Sequence, residues 1–466
     1  MSTDQLRVAE EVLDLLRAEG SGIEGAVCVD HKALALTRFA NSYIHQNVAD
    51  ATTTVRLLVH VDGRTTAGST TLTQAEGLRE LVTRTVAASR AAPPDPGWPG
   101  LTPPLPLHGT GNLDGGTVGA TPADRADRIR SFVDAAGGLE TAGYCGTMHW
   151  SGAFANTAGQ SGTGATTDAS MDGIVRLRTE SGIVDGTARL TATALSEVDG
   201  SVLGARAAAK ARASVDPMEL APGRYEVVLE PCAVGDILQN LALYGFNGKV
   251  YGERRSFVVL GEPQFDPSIT LVDDPLGPGD LGLPFDAEGT PTGRLVLVDA
   301  GRSASITYDR RTAAVAGNGA QSTGHSVPVD FNAGSFATSL RIATNGGAAL
   351  SEVDGPVAES ASAALVAKVE RGILVTDFWY TRVLDPMQLA ITGLTRNGIW
   401  LIEHGEVTRP LTNFRFTQAY PAALAPGAVL GIGAQPTPQP SGWGLARWGA
   451  PPLHLASWNF TGGASG

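Results

Sequence analysis

The sequence predicts an α+β protein: an N-terminal α/β region followed by a β-rich C-terminal domain built around one central helix. Three observations carry this. Gly is abundant, at 58 of 466 residues, and Val, Thr and Ala are frequent, a mix that favours strands and tight turns. The first 90 residues alternate helical and strand-like periodicities. Beyond residue 226 a single helical stretch is followed mostly by short alternating runs.

Taken in order, Leu6, Val8, Ala9, Val12, Leu13, Leu15 and Leu16 recur at helical period, so a first helix runs to about Arg17. "GAVCVD" and "KALALTRFA" are expected as two strands, and "TTTVRLLVHVDGRTTAGSTT" as a hairpin turning at Asp62-Gly63. "TQAEGLRELVTRTVAASRAA" is a helix with Thr73 as its expected N-cap. The Pro/Gly-rich stretch 91–118 excludes regular structure and marks a long connection, a candidate sub-boundary. "TPADRADRIRSFVDAAGG" is a helix capped by Thr121 and ended by Gly137-Gly138. Strands follow to about residue 190, then a small-residue helix in "DGSVLGARAAAKARAS". A domain boundary is placed here, dividing 1–215 from 216–466.

The second region opens with the strand "RYEVVLEP" and a helix over about 233–244. "GRLVLVDAGRSASITYD" is a hairpin turning at Asp299-Ala300-Gly301, and "GPVAESASAALVAKVERG" a second helix. "GILVTDFWYTR", "QLAITGLTRNGIWLIEHGEVTRP" and "FRFTQ" alternate as strands do.

The net charge of −13, without a dense Lys/Arg stripe, argues against nucleic-acid binding. Cys28, Cys145 and Cys232 are odd in number and widely spaced, which fits neither a disulfide framework nor a Cys-based zinc knuckle. The N-terminus is a charged amphipathic helix rather than a signal peptide, and no run approaches the roughly 20 apolar residues of a membrane span. A cytoplasmic protein is expected.

Catalytic grammar is sparse. The eight histidines form no HxxxH or HxxH pair, so a metal site would need distant ones. "GQSGTG", Gly159 to Gly164, departs from the GxSxG elbow at Thr163 and reads as a turn. Cys232 precedes a helix whose dipole could lower a thiol pKa, although a structural cysteine is the preferred reading. "GTGNLDGG" and "GIGAQP" fit no phosphate-binding fingerprint. Asp273, Asp274, Asp286 and Glu288 lie in Gly/Pro turns, where they either line a chamber or cap the turns; the capping role is preferred.

The order "PGRYEVVLEP", helix, "YGFNGK", "GERRSF", "LVDDP", "FDAEGTP", "LVLVDAGR", "AQSTGH", "GILVTDFW" and "NGIWLIEHGEV" resembles the TldD/PmbA family over nearly the whole chain. "FDAEG" followed by Pro291, and "IEHGE", are the most characteristic segments. That family comprises two subunit types forming a heterodimeric metalloprotease that trims small peptides and unfolded segments. One type carries HExxxH on the helix after the "PG-strand" segment and holds a zinc; the TldE/PmbA type keeps the fold without the metal motif. On this resemblance the motif falls on Gln239, Asn240 and Tyr244, with the trailing glycines at Gly245 and Gly248. Neither ligand nor general base is present there, and the late Cys ligand is missing too, since no Cys follows Cys232.

The resemblance therefore implies a TldE/PmbA-like subunit with no catalytic residue, metal or cofactor of its own. Its zinc would sit in an HExxxH-bearing partner, with peptides as substrates and homodimerisation an option for the isolated chain. Two alternatives stand beside it: a homodimeric binding or scaffold protein without a protease partner, and a metal-independent hydrolase using Cys232 or the acids of "DD" and "DAEG".

Overall fold

The computed structural model describes residues 2–180, 182–328, 333–344, 360–440 and 446–463. The N-terminal half is one six-stranded antiparallel sheet in the order β3-β2-β1-β4-β5-β6. Its strands are β1 (Glu24–Ala40), β2 (Tyr43–Val61), β3 (Arg64–Thr70), β4 (Glu140–Asn156), β5 (Ser161–Thr179) and β6 (Gly182–Ala192). The two strands expected between residues 25 and 40 are a single one. Its ladder runs through Asp30, His31 and Lys32 without a break, because Asp30 pairs with Arg56 and His31 bonds Thr53 across the strands. The β2–β3 turn has Asp62 and Gly63 both at positive φ, as a two-residue hairpin requires.

Two helix pairs cover this sheet. Helices α1 (Ser2–Ala18) and α2 (Ala75–Ala91) bury Val12, Leu16, Leu78 and Leu81 against Val27, Val29 and Leu57. The N-cap of α2 is Gln74, not Thr73, and makes no side-chain cap bond. After the short α3 (Gly115–Val118) come α4 (Pro122–Ala135) and α5 (Gly200–Ala213), which pack Phe132 and Ala207 on Phe39 and Val175. The expected Thr121 cap is present as a capping box with Asp124. Residues 92–114 form no helix or strand. They do not separate two sheets, because β1 pairs with β4 on either side of them.

The second half holds two further sheets. Around β7 (Gly223–Leu229), the ladders β7–β12, β12–β13, β13–β15, β15–β19 and β19–β7 close a ring, a five-stranded barrel. Here β12 is Arg371–Asp385, β13 Ala390–Glu403, β15 Phe414–Ala419 and β19 Leu453–Gly463. Phe378, Phe416, Trp458 and Tyr420 stack in its core. The other sheet has six short strands, among them β8 (Leu271–Asp273) and β18 (Arg447–Ala450). Of the second expected helix, Ser360–Val366 is helical; residues 355–359 lie outside the described set. No described helix is long and apolar enough to cross a membrane.

The halves meet along ion pairs: Lys210 of α5 with Glu230, both 1 % exposed, Arg189 of β6 with Asp377 of β12, and Arg447 with Asp168.

Candidate functional site

The strand β7 delivers the chain into α6 (Pro231–Asn240), started by Pro231 at its first position. Apolar residues Ala233, Val234, Ile237, Leu238 and Leu241 are fully buried in the core of the second half. The helix then widens: Leu241–Gly245 is a π-helical turn, and the Phe246 amide donates to the Leu241 carbonyl at 2.9 Å. On a regular helix Gln239 and Tyr244 would sit roughly 140° apart. The π turn between them narrows that offset, and both side chains are half-buried.

The two glycines that follow are demanded by close packing. A β-carbon at Gly245 would meet the Phe257 ring at 2.8 Å, and one at Gly248 the Thr307 carbonyl oxygen at 2.4 Å.

Asn240 is buried, and its Nδ2 donates to the Asp236 carbonyl at 2.9 Å and carboxylate at 3.2 Å. Asp236 also accepts from Thr381 Oγ1 of β12 and from the Tyr420 hydroxyl, both at 2.6 Å. Burial pushes the Asp236 carboxyl up to about 6, against these hydrogen bonds and with help from the charge of Asp377. Asp377 is itself raised by burial and opposed by Arg189. Asn397 Nδ2 donates to Asp377 as well, at 3.3 Å. Two polar clusters thus meet β12, one tying it to α6 through Thr381 and the other tying it to Arg189 of the N-terminal sheet through Asp377. Sequence reasoning missed these contacts.

The sequence-flagged carboxylates lie elsewhere and hold loops. Asp273, 0 % exposed, accepts from the Ser339 amide at 2.7 Å and pairs with His325 Nε2 at 2.9 Å. His325 Nδ1 meets the Thr323 carbonyl at 2.7 Å. A carbonyl only accepts, so Nδ1–H donates to it while Nε2 faces the Asp273 carboxylate, an arrangement that favours the imidazolium. Burial opposes its charge, but the Asp273 bond and the Thr323 carbonyl outweigh that and raise its pKa. Asp274 pairs with Arg341 at 3.3 Å.

Asp286 accepts from the amides of Glu288, Thr290 and Ser326, each at 2.9 Å, and Glu288 from the Arg310 amide at 2.8 Å. Burial raises Asp286 to about 6 and Glu288 to about 8, the latter also through its neighbour's charge. Their loop clasps the N-terminal half. Cys28 Sγ donates to the Ala287 carbonyl at 3.3 Å, Thr102 to that of Glu288 at 2.7 Å, and Gln160 to that of Gly289 at 2.9 Å. Among the described residues no hydrogen bond or ion pair joins these four acids to Gln239, Asn240 or Tyr244.

Cys232 is half-buried on the first turn of α6 and forms no disulfide. "GQSGTG" is the β4–β5 turn and the start of β5. Among the described residues no three His, Cys, Asp or Glu converge as a metal site. The motif's two ligand positions hold Gln239 and Tyr244, a neutral amide and a phenol, which are poor zinc ligands beside imidazole.

The sequence pattern of the PmbA/TldA metallopeptidase C-terminal domain matches residues 222–462. Among solved structures, TldE from Thermococcus kodakarensis superposes with a TM-score of 0.84 at 18% identity, covering 99% of each chain. A protein from Thermotoga maritima, described as a proposed modulator of DNA gyrase, gives 0.82 at 16%, covering 97% of this chain and all (100%) of its own. One so described from Bacteroides thetaiotaomicron gives 0.80 at 18%, covering 98% of each. No curated protein sequence matches. At these identities the structural likenesses speak for the fold.

Proposed function

The chain belongs to the PmbA/TldD metallopeptidase family, and we propose that it is a subunit of the TldE/PmbA type. It carries no zinc and completes a peptidase whose metal resides in an HExxxH-bearing partner. One observation carries this reading. The helix and π turn that would present HExxxH are built in full, while Asn240, at the position of the general base, is bonded back to Asp236. Geometry is retained where chemistry is not, which fits a helix kept to shape a shared chamber. The ladder from β12 to β7 ends at Val375, so the strand runs on past Thr381 beside Asp236 with an edge that could receive an extended peptide by backbone pairing. That mode tolerates varied sequences and suits trimming of unfolded segments.

Affinity purification of the chain from its native cell, followed by mass spectrometry, tests the reading. An HExxxH-bearing sister chain in stoichiometric amount is expected. Recovery of the chain alone, or only with copies of itself, would favour a scaffold instead.

A further inference from the structure

On the barrel's outer wall, exposed aromatic rings and arginines lie together. Strands β12, β13 and β15 place Trp379 opposite Leu394 and Leu394 opposite Arg415; Arg382 lies opposite Thr392. Trp379 is 49 % and Tyr380 65 % exposed. The Arg396 guanidinium lies 4.6 Å from the Trp379 ring centre and that of Arg382 4.2 Å from Tyr380. Segments 378–384, 390–396 and 414–419 contain no Asp or Glu, in a chain with 47 acidic and 34 basic residues. Among the described residues none of the three arginines is in an ion pair. Tyr380 takes φ 54 where the β12–β13 register shifts, a conformation costly for an aromatic residue, and its ring points outward. Its neighbour Thr381 turns the other way, onto Asp236 of α6.

We infer that this wall docks an extended acidic peptide segment, whose carboxylates pair with Arg382, Arg396 and Arg415 while apolar side chains lie on Trp379 and Tyr380. The inference rests on the subunit reading above and names the substrate class it favours. Arginine pairs with carboxylate in a two-pronged geometry, and stacking on an aromatic ring holds its plane for that purpose. A second copy is a poor occupant, because a two-fold contact through this wall sets the same arginines against one another. A nucleic acid strand long enough to leave the patch meets a surface of net charge −13. A short acidic segment meets only the patch, since charges beyond about 8 Å are screened at physiological salt.

Fluorescence anisotropy of the full chain tests this, with three labelled probes: a short Asp/Glu-rich peptide containing Phe and Leu, the same peptide with Lys replacing each acid, and oligo-dT. The acidic peptide should bind at least about tenfold more tightly than the other two, and more weakly as salt rises. Arg396→Glu/Arg415→Glu should abolish that preference, and Trp379→Ala should weaken binding about tenfold with the salt dependence intact. Both changes are at the surface, so unchanged melting curves show that the fold survives. Equal binding of the acidic and basic peptides, tighter binding of oligo-dT, or an unaffected charge-reversed variant would overturn the inference. If a reconstituted complex cleaves a neutral unfolded peptide while acidic selectivity is absent, only the docking inference falls. If the acidic peptide binds through these residues while no HExxxH chain is recruited, the subunit reading falls instead.

Discussion

The side-chain amide of Asn240 donates to both the carbonyl and the carboxylate of Asp236, one helical turn before it. This contact makes the position hostile to an acid. Asn240→Glu would replace a donor with a second buried carboxylate facing the first. We expect a loss of about 3 kcal/mol at neutral pH, from the broken bonds and like-charge repulsion. The loss should shrink below pH 6, where Asp236 protonates. Chemical denaturation at two pH values reads both effects.

Restoring the whole motif should therefore fail as catalysis. Gln239→His/Asn240→Glu/Tyr244→His is expected to bind zinc weakly, as two imidazoles give only part of a tetrahedral site, and to show little peptidase activity. Metal titration by calorimetry and a peptide-cleavage assay check the two halves separately.

Asp236 also sets a pH dependence. Its folded pKa, about 6, lies above the ordinary 3.8, so between these values the native state holds more protons than the unfolded one. Stability falls as pH rises through that window, by up to about 3 kcal/mol from this group. Asp236→Asn should flatten the slope of melting temperature against pH between 4 and 6. An unchanged slope would show that the carboxyl is not the group responsible.

How much of this could be read from the sequence depends on the range of the interaction. The Thr121 cap, the Asp62-Gly63 turn and the apolar stripe of α6 are local, and the residues announce them. The Asp236 cluster was hidden because Thr381 and Tyr420 lie 145 and 184 residues away. The π turn was hidden because a change from i→i+4 to i→i+5 bonding leaves the apolar pattern nearly intact. Asp286 accepts from the amides of its own turn, a local pattern, whereas the clasp of that loop's carbonyls on Cys28, Thr102 and Gln160 depends on the approach of the other half.

His325 acts in the same sense as Asp236. Its folded pKa is raised, so the pair with Asp273 contributes fully below the unfolded value near 6.5 and fades as pH rises through the folded one. Asp273→Asn should cost about 3 kcal/mol at pH 6 by leaving a buried imidazolium without its counter-charge, and less in alkaline buffer. A cost that grows with pH would contradict the imidazolium assignment.

The ion pair Lys210–Glu230 joins the two halves while wholly buried. Lys210→Met alone should destabilise by about 3–5 kcal/mol, and Lys210→Met/Glu230→Leu by less, because the double change leaves no stranded charge. A double-mutant cycle in denaturant measures the difference.

The most direct test of the central claim is reconstitution. The purified chain, an HExxxH-bearing sister chain and an equimolar mixture are each assayed on an unstructured peptide, with zinc counted by elemental analysis. This chain alone should hold no stoichiometric zinc and cleave nothing. The mixture should cleave, with zinc in proportion to the sister chain and activity lost to a chelator. Tightly held zinc in this chain alone, or cleavage by it that survives metal stripping, would contradict its assignment as a non-catalytic subunit.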